Sequence, residues 1–162
     1  MEIVKIGGKE WTSRNLDVIV PDSWDYNNDP VNREKYGRQY TWDAAKAAIA
    51  TLGDGWRLPT RNDWAELIKA AGGFAIASTD LKASAPNWDG TDVLGFSALP
   101  GGRRWYDGSF NDLGVWGSWW SATEYDAALA WYVFMGTGYT YVVELWYYKS
   151  EGFSVRCVRN VI

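Results

Sequence analysis

Hydrophobic and polar positions keep two different rhythms along the chain, and the change between them divides it. EIVKIGGKEWT (2–12) reads as two short extended runs either side of Gly7 and Gly8, a hairpin signal. LDVIV (16–20) predicts a further strand stopped by Pro21, and polar, turn-rich 22–39 predicts a long ordered loop. Two amphipathic helices follow. Thr41 is placed to cap the first, with Trp42, Ala45, Ile49 and Leu52 on one face and Gly53 closing it. Thr60 caps the second, with Asp63 imitating a capping box; Trp64, Leu67, Ile68 and Ala71 recur at helical spacing before Gly72 and Gly73.

Beyond Gly73 the helical period disappears. Strands are expected near 118–122, 130–135, 139–147 and 152–158, with Phe153, Val155 and Cys157 alternating against Ser154 and Arg156 as a half-buried strand. The fold class is therefore α+β, one domain with two helices packed on irregular antiparallel sheet and a loop-rich second half. One stretch resists assignment. YTYVVELWYYK (139–149) is aromatic or aliphatic on both faces, which suits a strand buried on both sides. Large aromatics among Gly and Thr without a settled period equally suit a contact surface.

Composition sharpens this. Twelve Trp and ten Tyr in 162 residues exceed ordinary usage severalfold, and both types pair an apolar body with a polar tip. A net charge of −4 without a basic stripe argues against a nucleic-acid partner. No apolar run is long enough to insert in a membrane, and the N-terminal residues do not read as a signal peptide. The chain has no histidine, which removes the commonest general base and transition-metal ligand. Its single cysteine, Cys157, is expected to be a buried structural residue. Carboxylate pairs for glycoside hydrolysis cannot be singled out among twenty acidic residues. The expectation is no enzyme and no cofactor. Calcium is the one ion with candidate loops, at 26–30, 87–92 and 107–112, although none has EF-hand spacing and Asx-turns explain them better.

The blocks GKEWTSRNLD (8–17), YNNDPVNREKYGRQYTWDAA (26–45), GWRLPTRNDWAELI (55–68), LKAS (81–84), GFSALPGGRRWYDGSF (95–110), WWSATE (119–124) and KSEGFSVRCVRN (149–160) resemble, in order and over nearly the whole chain, the Fibrobacter succinogenes major paralogous domain family. The shorter signature of WRLPT and GFSVRC is also similar to the formylglycine-generating, sulfatase-modifying family. Both resemblances imply a C-type lectin-like fold, with WWSATE and GFSVRCV as framework strands. The catalytic cysteines of the second family have no counterpart here.

The first family also includes variable proteins of diversity-generating retroelements, in which the segment between those two blocks is rewritten by adenine-directed mutagenesis. That resemblance implies a ligand-binding surface over 125–148. Tyr125, Asp126, Ala128, Leu129, Tyr132, Phe134, Gly136, Gly138, Tyr139, Tyr141, Val143, Leu145, Tyr147 and Tyr148 are reachable from Asn codons. Val133, Glu144 and Trp146 join the expected contact set from other codons, while Ala127, Ala130, Trp131 and Val142 are expected as fixed framework. The expected partner is a protein or glycan on a target surface, and the family suggests a cell surface or phage particle. A fixed appendage subunit and a carbohydrate-binding module are the alternatives. Trp146, Tyr147, Tyr148 and Tyr139 are the expected hot spots.

Overall fold

Gly7 and Gly8 carry φ of +60° and +79°, and turn the chain into the expected hairpin of β1 (Ile3–Ile6) and β2 (Lys9–Thr12). These features belong to a computed structural model, which describes residues 1–162. LDVIV forms no strand. Its backbone is taken up singly instead: Leu16 N–H donates to Val155, the Leu16 carbonyl accepts from Arg38, and the Val18 carbonyl accepts from the Tyr40 hydroxyl.

The stretch expected as loop is more regular than its composition suggests. It holds β3 (Ser23–Trp24), a single 3₁₀ turn at Tyr26–Asn28, α1 (Pro30–Tyr36) and β4 (Gln39–Tyr40). Pro30 opens α1 behind the Asp29 cap, and no α1 residue is buried, so no apolar period could announce it. Both expected helices form: α2 (Trp42–Ala50) capped by Thr41, and α3 (Arg61–Ala70) with a complete Thr60–Asp63 capping box. A short α4 (Ala77–Leu81) follows where no helix was expected.

The second half supplies β5 (Gly101–Arg104), β6 (Phe110–Leu113), β7 (Trp116–Glu124), β8 (Leu129–Gly136), β9 (Val143–Tyr148) and β10 (Val158–Asn160). The main sheet runs β6-β5-β7-β8-β9, with β5 and β7 parallel and the other pairs antiparallel; β10 joins β2 in a separate three-stranded sheet. The mixed α/β architecture is thus a few helices laid on curled sheets. β5 and β6 were not legible in LPGGRRWYDGSFNDL, and 139–142 is irregular chain after the turn at 137–138, not strand.

Two cores lie on opposite faces of β7 and β8. Trp119, Val133 and Met135 point into one with Trp11, Trp64 and Phe96; Trp120, Ala130 and Tyr132 point into the other with Tyr40 and Phe153. The expected half-buried strand 152–158 is also corrected. Phe153 to Val158 are all buried, Ser154 and Arg156 included, and only β10 at its end pairs regularly. Arg156 donates to Asn15 Oδ1 and to the carbonyls of Thr12, Phe96 and Ser97, and its guanidinium lies 4.4 Å from the Phe96 ring centre. Burial lowers its pKa to about 9, still well above neutrality, so a charged group ties three segments together. Cys157 is fully buried, and burial pushes its thiol up to about 12.

Candidate ligand-binding surface

The segment 125–148 is held at its two turns by its main chain. Asp126 Oδ1 accepts from the N–H groups of Ala128 and Leu129, closing the β7–β8 turn. Lys149 Nζ donates to the Ala127 carbonyl and pairs with Glu124 at 2.7 Å. At the far turn, buried Lys82 donates to the carbonyls of Gly136 and Tyr139 while pairing with Asp89. Asp89 in turn accepts from Gly138 N–H. The Ser78 amide donates to the Thr140 carbonyl, and Val142 N–H donates to Phe74. Lys82 belongs to LKAS and Lys149 to the block that follows the segment, so residues outside it grip atoms that every amino acid possesses.

Register then sorts the side chains. β8 and β9 pair Trp131 with Trp146, Val133 with Glu144 and Leu129 with Tyr148 on one face; Tyr132 with Leu145, Ala130 with Tyr147 and Phe134 with Val143 share the other. On the first face Tyr125 stacks on Trp146, with centroids 4.4 Å apart and planes 7° from parallel, and Trp131 meets both edge-on. The Arg61 guanidinium lies 3.5 Å from the Trp131 ring centre and its Nε donates to Glu144 at 2.9 Å. Trp146 is 40% exposed and Tyr148 56%, against zero for Trp119 and Trp120 on β7.

On the second face Tyr147 is half-buried against Trp105, Tyr132 and Phe153, and burial raises its phenol pKa. Beside the far turn Trp116 stacks on Tyr139, which leans on Tyr141. Asp126, Ala128, Gly138, Tyr139, Tyr141 and Leu145 are exposed; Leu129, Phe134, Val143, Glu144 and Tyr147 are half-buried.

Three expected contact positions do not lie on the outer surface. Val133 is wholly inside the first core, and Tyr132 is 5% exposed within the second. Gly136 is closed by its neighbour, because a Cβ there would sit 2.4 Å from the Trp116 ring. Alternation sends Tyr132 and Val133 to opposite faces of β8, and both are inside because a core covers each face, whatever codon encodes them. Gly138, at φ +82°, has open space beside it but a backbone that penalises other residues.

Conversely, Trp131, expected as framework, joins the exposed cluster, and Ala127 is exposed. Arg61, Arg103, Trp105 and Trp116 flank the segment and were missed. Only the β8–β9 register, which sets Trp131 opposite Trp146, could have drawn Trp131 in from sequence.

The acidic residues of the loops considered for calcium have protein partners. Asp29 caps α1, Asp92 accepts from the Ser97 amide and hydroxyl, and Asp107 does the same for Ser109. No helix is long and apolar enough to cross a membrane.

Among known proteins, the model of the Fibrobacter succinogenes major domain matches residues 4–159. No curated protein and no solved structure matches the chain.

Proposed function

The chain belongs to the Fibrobacter succinogenes major domain family, and from that premise we propose that it is a non-enzymatic receptor, a variable protein of a diversity-generating retroelement with a C-type lectin-like fold. Its 125–148 segment forms the binding surface for a protein or glycan displayed on a target, and the protein works at a cell surface or on a phage particle without a cofactor. One observation carries this reading: the turns of the segment are fastened by Lys82, Asp89 and Lys149 through main-chain atoms, leaving Tyr125, Trp146 and Tyr148 exposed. A segment held in this way tolerates new side chains at its exposed positions. Its stacked aromatics have few torsions to freeze on contact, so they supply area at low entropic cost.

Sequencing the gene across a population of its source tests the proposal. Substitutions should crowd into Tyr125, Asp126, Ala128, Tyr139, Tyr141, Val143, Leu145, Tyr147 and Tyr148, sparing WWSATE, LKAS and GFSVRCVR. An invariant segment would sink diversification. It would favour the alternative that has its own observation: β9 is an outer strand of the sheet, with a free edge on which a second subunit could build.

A further inference from the structure

On the sheet face opposite the Tyr125–Trp146 stack, a pocket of about 210 Å³ opens between β5, β6, β7 and β8. Trp116 and Phe134, edge to face at 5.5 Å, give it an apolar wall. Its other lining groups are Arg103, Asp112, Ser118 and Tyr132.

Ser118 and Tyr132 are each 5% exposed, yet neither hydroxyl is hydrogen-bonded within the protein, and both side chains line the pocket. Arg103 makes no side-chain hydrogen bond either: it pairs with Asp112 through Nε at 3.3 Å, without hydrogen-bond geometry, and its guanidinium lies 4.0 Å from the Trp105 ring centre. Arg103 Nε is buried and unmet, the two hydroxyls open onto the pocket without a protein partner, and polar groups converging in this way at one opening describe a place for a polar guest.

We propose that this pocket binds a single neutral sugar ring, the terminal pyranose of a glycan. The inference rests on reading 125–148 as ligand-facing, because Tyr132 and Phe134 belong to that segment. Four features select this chemistry. Arg103 supplies donors, Asp112 acceptors, and the Ser118 and Tyr132 hydroxyls both, which matches ligand hydroxyls that donate and accept at once. Asp112 offsets the Arg103 charge, which disfavours a free carboxylate or phosphate. The aromatic wall accepts the C–H face of a pyranose. The volume, below the ~300–1,000 Å³ of sites for drug-sized ligands, limits the guest to about one ring.

The test is a titration of the whole protein with free neutral monosaccharides and their methyl glycosides, followed by NMR at the indole N–H of Trp116. At least one sugar should shift that signal with millimolar affinity. Tyr132→Phe, which removes a hydroxyl with no protein partner, should weaken binding about tenfold, the size of one well-made hydrogen bond. Ser118→Ala should act in the same direction, with both variants melting where the parent does. Val93→Ala, an exposed residue that lines no part of the pocket, should leave the titration unchanged. Silence at Trp116 for every sugar, equal affinity in Tyr132→Phe, or a shift produced by acetate or phosphate and by no sugar would each overturn the proposal. None of these outcomes bears on the population sequencing, so the pocket and the diversified surface fail separately.

Discussion

Two strands of the main sheet are written in nearly the same alphabet and have opposite fates. β7 carries WGSWWS and β9 carries VELWYY. On β7 both inner tryptophans are fully buried and their polar tips are engaged: Trp119 Nε1 donates to Asn15 Oδ1 and Trp120 Nε1 to the Tyr40 carbonyl. On β9 Trp146 and Tyr148 stay exposed, and Trp146 spends its ring on Tyr125 and Trp131 without a partner for its N–H. What separates a core aromatic from a contact aromatic is therefore the fate of its polar tip. Strand position decides that fate, since β7 lies between two neighbours and β9 at the rim.

Substitutions can break or sharpen this contrast. Trp120→Ala should cost about 3–5 kcal/mol, the range for emptying a buried aromatic site, seen as a large drop in the denaturant midpoint. Lys82→Met comes next, at about 2–4 kcal/mol, because it leaves two carbonyls and Asp89 without their cation. Amide exchange should then accelerate over 137–142 while β7 stays protected, showing that the segment leans on the framework.

Acid probes the framework through Asp63. Burial would raise the Asp63 pKa, but bonds from Arg57, Thr60 and Lys9 outweigh it and hold the carboxyl below the ordinary 3.8. A group depressed in the folded state stabilises above that ordinary value and loses its contribution as pH falls below it. Stability should therefore fall by about 1–2 kcal/mol on acidification below pH ~4, and Asp63→Asn should flatten that part of the profile. Smallest of all, Trp146→Ala should change stability by no more than about 1 kcal/mol, since the exposed stack with Tyr125 is its main contact. A loss comparable to Trp120→Ala would erase the contrast. Tyr147 is not interchangeable with Trp146 here, because its ring also packs on Phe153.

The same contrast explains what could be read in advance. α2 and α3 were legible because each buries one face and is capped by its own residues, so period and cap agree. α1 was hidden because it buries nothing, and β5 and β6 because neither GGRR nor FNDL carries a strand rhythm. Arg156 was misplaced on an exposed face because charge normally signals solvent, whereas four acceptors from distant segments make it an interior tie. In the candidate surface, the exposed Tyr and Trp of β9 follow from composition. The inward turn of Tyr132 and Val133 and the outward reach of Trp131 follow only from the register. The pocket could not be seen at all, since its members come from four strands.

The grip of Lys82 on the Gly136 and Tyr139 carbonyls has a practical corollary. A clamp that reads only peptide oxygens is blind to the library above it. The protein is thus a ready display scaffold, in which Tyr125, Leu145, Trp146 and Tyr148 can be randomised together while Lys82, Asp89 and Lys149 are kept as hardware.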